Sequence, residues 1–65
     1  MTLTIASERN LATEVTLVYE KFGVFYARVY ENWGGEWRKT HESNPYKDEE
    51  KAKASYKRFV KRYIK

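Results

Sequence analysis

Two runs of alternating side chains, Glu14 to Glu20 and Val24 to Glu31, are separated only by Lys21-Phe22-Gly23. A period of two residues marks a half-buried strand, and two such runs on so short a link pair antiparallel. In the first, Val15, Leu17 and Tyr19 alternate with Glu14, Thr16, Val18 and Glu20; in the second, Phe25, Ala27 and Val29 alternate with Val24, Tyr26, Arg28 and Tyr30. Parity fixes the register, because a slip of one residue sends every side chain to the opposite face. Tyr19 opposite Phe25, Leu17 opposite Ala27 and Val15 opposite Val29 gather the apolar sets on one side.

Asn32-Trp33-Gly34-Gly35 tolerates positive φ and predicts a second hairpin. A three-residue loop, Asn32 to Gly34, leads into a third strand from about Glu36 to His41 and sets Val29 opposite Trp37. The other face then carries Thr16, Val18, Tyr26, Arg28, Tyr30, Arg38 and Thr40. Ser43-Asn44-Pro45 stops that strand, since proline cannot donate to a ladder and restricts the residue before it. A helix follows over about Asp48 to Ile64. Asp48 suits its N-cap, Glu49 and Glu50 its first turn, and Lys61, Arg62 and Lys65 its end. Ala52, Tyr56, Phe59, Val60 and Tyr63 form one apolar stripe that should lie on the Phe25, Ala27, Val29 side. The expected fold class is α+β: a three-stranded antiparallel meander packed on one C-terminal helix. Residues 1–13 have two readings. Leu3 and Ile5 alternate like a short extra strand with Ser7-Glu8-Arg9-Asn10 as a turn, or the segment is a flexible arm.

With 65 residues the chain has room for one core, so a single domain spanning residues 1–65 is expected. It has no cysteine, which removes disulfides and thiolate metal sites and leaves the packing of large rings to hold the fold. His41 is the only histidine, and Asp48, Glu49 and Glu50 are consecutive helix residues that point in different directions, so no metal site is expected. Ser43 lacks a nucleophile elbow and Gly34-Gly35 lacks the pattern of a phosphate loop. The chain is therefore expected to be no enzyme and to use no cofactor. No run approaches the ~20 apolar residues of a membrane span, and the first residues lack the features of a signal peptide, so a cytoplasmic protein is expected.

The net charge is +4, unevenly spread. Glu14 to Glu42 holds five acids and four bases, whereas Lys47 to Lys65 holds eight bases and three acids. Three features could bind a partner. Tyr26, Arg28 and Tyr30, flanked by Val18 and Arg38, form an aromatic and basic row on the sheet, suited to stacking and phosphate contact or to a protein hot spot. The alternative is that tyrosine and threonine stand there for strand propensity and cross-strand packing. Trp33 on a hairpin tip is an anchor, or else covers the end of the core beside Trp37. On the helix, Lys53, Lys57 and Lys61 make one row and Arg58, Arg62 and Lys65 another, both able to meet phosphates.

From Phe25 to Tyr56, a hairpin, a third strand and then Tyr46-x-Asp48-Glu49-Glu50-x-Ala52-x-x-x-Tyr56 resemble the three-strand-plus-helix domain of plant ethylene-response factors. The order is also similar to the arm-site-binding domain of phage tyrosine integrases. The resemblance implies DNA binding by the sheet, with Tyr26, Arg28, Tyr30 and Arg38 at the contacting positions. The residues themselves favour a small nucleic-acid-binding module that uses the basic helix with Tyr26, Arg28, Tyr30 and Trp33. The alternative is a protein-binding adaptor or inhibitor, such as a phage-encoded protein acting on host defence machinery. Either is expected as a monomer or a dimer.

Overall fold

Val15, Leu17, Ala27 and Val29 are sealed from solvent because the two alternating runs pair in the register that parity demands. The computed structural model describes residues 2–64. Its elements are β1 (Leu3–Arg9), β2 (Thr13–Glu20), β3 (Val24–Trp33), β4 (Glu36–Glu42) and α1 (Glu49–Tyr63). The strands form one antiparallel sheet in the order β1-β2-β3-β4. The α+β class holds, with the N-terminal segment as a fourth strand. Met1 lies outside the described residues, as does Lys65 of the second helix row.

Helix α1 lies across β2 and β3. Its start is built by Asp48, whose side chain accepts the backbone N–H of Glu50 at 2.9 Å and satisfies a donor that the first turn cannot. Ala52 is fully buried against Leu17 and Phe25, and Tyr19, Tyr46 and Tyr56 pack around that cluster. At the far end the Tyr63 ring lies 4.8 Å from that of His41, which is opposite Val29 in β4. The helix thus runs from the β2–β3 turn towards the β3–β4 hairpin.

Three expectations are corrected. The β3–β4 turn is Gly34-Gly35, both with positive φ, so Trp33 pairs with Glu36 and Asn32 with Trp37 instead of Val29 with Trp37. Two successive residues with φ > 0 make the two-residue hairpin turn whose twist matches the strands. Parity inverts as a result. Trp37 falls on the face of Tyr30, and Arg38, opposite Glu31, falls on the helix side, away from the Tyr26, Arg28, Tyr30 row. A bulge then restores the phase: Tyr30 pairs with Lys39 but Val29 with His41, leaving Thr40 as the extra residue, so it does not alternate with Arg38 on one face. Finally, Ser7, Glu8 and Arg9 are strand, and the turn comes at Asn10, whose side chain accepts the N–H groups of Ala12 and Thr13. A second bulge lies in β1, where Ile5 is passed over between Thr4 opposite Val18 and Ala6 opposite Leu17.

The face away from the helix is not bare. Val18 and Thr16 are buried there between neighbouring strands, and the Thr16 hydroxyl has no hydrogen-bond partner among the described residues. An unmet buried hydroxyl costs about 1–3 kcal/mol. Thr16→Val keeps the shape and the strand propensity, and should raise the stability measured by urea denaturation by about 1 kcal/mol.

Candidate functional site

The basic residues of the sheet are held by acids of the sheet. Arg28 projects from the middle of β3 onto the face away from the helix, and its side chain is only 18% exposed. Its Nη2 donates to Glu20 at 2.9 Å and its Nε to Glu42, while its guanidinium lies 5.0 Å from the centroid of the Tyr26 ring. Lys39 reaches the same Glu42 at 3.3 Å, Arg38 pairs with Glu36 at 3.2 Å, and Arg9 pairs with Glu14 at 3.2 Å. Tyr26 and Tyr30 are half-buried. The expected row therefore exists as Tyr26, Arg28 and Tyr30, but its guanidinium is satisfied within the protein.

These pairings move the acids. The hydrogen bond from Arg28, aided by one from Thr2, holds Glu20 below the ordinary carboxyl value of 4.5. Burial pushes Glu42 up, but hydrogen bonds from Arg28 and Lys39 outweigh it and leave this carboxyl lowered as well. Burial likewise works against the charge on Arg28, and Glu42 and Glu20 more than offset it. Both carboxyl groups titrate lower in the folded chain than in the unfolded one. Their contribution is thus complete above the unfolded value and is lost as pH falls through the folded values. Thermal melts from about pH 6 down to about pH 3 should show a falling midpoint, and Glu20→Gln with Glu42→Gln should flatten that acid limb.

The helix has the opposite character. Lys53 is tied to Glu49 at 2.9 Å, which raises its pKa through that hydrogen bond. Lys51, Lys57, Arg58, Lys61 and Arg62 are exposed and make no ion pair among the described residues. Of the expected helix cations, Lys57, Arg58 and Lys61 have no carboxylate or ring partner among the described residues, Arg62 lies 5.7 Å from the centroid of the Tyr63 ring but makes no ion pair there, and Lys53 is paired. Lys51 is an addition: it lies seven residues before Arg58, two helical turns away on the same flank. That spacing was visible in the sequence.

The tryptophans part company at the β3–β4 hairpin. Trp33 belongs to the alternate set of Phe25, Ala27, Val29 and Glu31, which places it on the helix side, and it is 62% exposed. Trp37 lies on the other side, with the guanidinium of Arg9 at 5.2 Å from its ring. The two do not cover the core together. At the opposite end of the sheet Phe22 is 92% exposed and adopts φ 67, ψ 25. In the sequence Phe22 reads as turn material; its one distinguishing signal is a bulky ring directly before Gly23, where such turns usually hold Asn or Gly.

Among the described residues no group of three or more His, Asp or Glu side chains is gathered as a metal site. No helix of the described residues is long and apolar enough to cross a membrane. No family model, curated protein or solved structure matches this chain.

Proposed function

We propose that this chain is a non-catalytic nucleic-acid-binding module whose basic helix carries the phosphate contacts. One contrast supports this reading: Arg9, Arg28, Arg38 and Lys39 of the sheet are each neutralised by a neighbouring carboxylate, whereas Lys51, Lys57, Arg58, Lys61 and Arg62 of α1 meet none among the described residues. Unpaired cations on a rigid rod gain most from phosphates, because they release condensed counterions without first breaking an ion pair. Docking by the sheet face, as the ethylene-response-factor resemblance implies, has to open the Arg28 cluster first. Fluorescence anisotropy of labelled oligonucleotides across a salt series tests the helix reading. Binding should weaken steeply with salt; an affinity indifferent to ionic strength, or none at about 50 mM salt, rejects it.

A second reading, a protein-binding adaptor, is favoured by Phe22. A bulky residue in the left-handed region costs roughly 1–2 kcal/mol, and a ring this exposed gains no packing in return. Such a ring suits insertion into an apolar socket on another protein. Phe22→Asn should stabilise the free domain by about 1 kcal/mol in thermal or urea melts. On the adaptor reading it also abolishes partner binding; on the nucleic-acid reading it leaves oligonucleotide affinity unchanged.

A further inference from the structure

We propose, building on the nucleic-acid reading, that the ligand is single-stranded, with an unpaired base stacking on Trp33 while the phosphates follow the cations of α1. Three placements put these groups on one surface. Trp33 sits on the helix side of β3, four residues beyond Val29. At the strand rise, that is about 13 Å along the sheet. Tyr63 lies over His41, the partner of Val29, so the last turn of α1 with Lys61 and Arg62 is directed towards the hairpin that carries the indole. The ring is largely in water, whereas Trp37 is already engaged by Arg9 on the opposite face.

A duplex does not suit this arrangement. Its base faces are stacked, and a projecting ring reaches them only by prising a step apart. A single strand offers those faces directly, and an indole accepts any base because every base has a π surface. The tyrosine row does not compete for this role: it lies on the other side of the sheet, and its arginine is held by Glu20 and Glu42.

The test uses labelled oligo-dT and oligo-U of about 12 nucleotides and a duplex of the same length, within the range of known single-strand sites. The full chain is compared with Trp33→Ala, Trp37→Ala, Trp33→Phe and the double variant Lys57→Glu/Lys61→Glu. A Trp37→Phe variant leaves Trp33 as the only tryptophan, so its emission reports stacking directly. The single strands should bind more tightly than the duplex and quench that emission. Trp33→Ala should cost about 5- to 100-fold on single strands, Trp33→Phe less and Trp37→Ala little.

If the duplex binds as tightly as the single strands, Trp33→Ala changes neither and the lysine reversal weakens both, the single-strand proposal is overturned and the phosphate-binding helix stands. If no oligonucleotide binds at low salt, both fall. Circular dichroism of each variant identifies any that does not fold, and Trp33→Phe and the quenching signal then carry the decision.

Discussion

Lys57→Glu together with Lys61→Glu should lower oligonucleotide affinity by about 100-fold at ~0.1 M salt. The two positions lie one turn apart on exposed helix surface and neither makes an ion pair among the described residues, so the only internal interaction lost is that of Lys61 with the helix dipole in the last turn. Each phosphate contact contributes a slope of roughly 0.7 in log affinity against log salt on a single strand, and roughly 0.9 on a duplex. At ~0.1 M that is about 1 kcal/mol for each contact, and new repulsion adds to the loss. The salt slope should also fall by roughly 1.4 on single strands, and that change separates lost phosphate contacts from general damage. The melting temperature should stay within a few degrees of the parent, since exposed substitutions away from special features usually change stability by no more than about 0.5 kcal/mol. An unchanged slope with full affinity removes these lysines from the site.

Leu17→Ala should be among the most damaging substitutions to the fold, at about 3 kcal/mol. Leu17 is among the largest fully buried side chains and stands where α1 meets the sheet, in contact with Phe25 and Ala52. Its neighbours are anchored in two paired strands and a capped helix, so the space left behind cannot easily collapse. Domains of this size hold only about 3–10 kcal/mol in total. The expected result is a fall in melting temperature of about 12–24 °C, read by circular dichroism. Leu17→Ile, which keeps the volume, should lose well under half of that. If Leu17→Ala melts with the parent, α1 is not packed over this residue.

The parts of the fold that depend on short-range regularity were readable from the chain. The β2–β3 pairing followed from parity, because Val15, Leu17, Ala27 and Val29 can share a face in one phase only. The helix followed from Asp48, the charges at its two ends and the Ala52-to-Tyr63 stripe. What escaped was β4. A two-residue turn inverted the phase at Trp37 and Arg38, and the bulge at Thr40 inverted it back by His41. Both steps are set by backbone dihedrals that composition does not encode, so Arg38 was expected on the wrong side. The candidate site was legible in part for a different reason. A list of bases does not reveal which carboxylate each will meet, and the meeting of Arg28 with Glu20 and Glu42 depends on strands paired across the sheet. Lys57 and Lys61 were legible because a helix surface is periodic, and their acidic neighbours can be read from i, i+3 and i, i+4 alone.

The two interruptions, at Ile5 and at Thr40, occupy the two outermost strands. Each leaves no more than about four consecutive residues of regular backbone on either side, too few for a borrowed strand to zip along the border of the molecule. Bulged borders of this kind blunt the row of unpaired main-chain amides and carbonyls that an outer strand otherwise presents to a second chain.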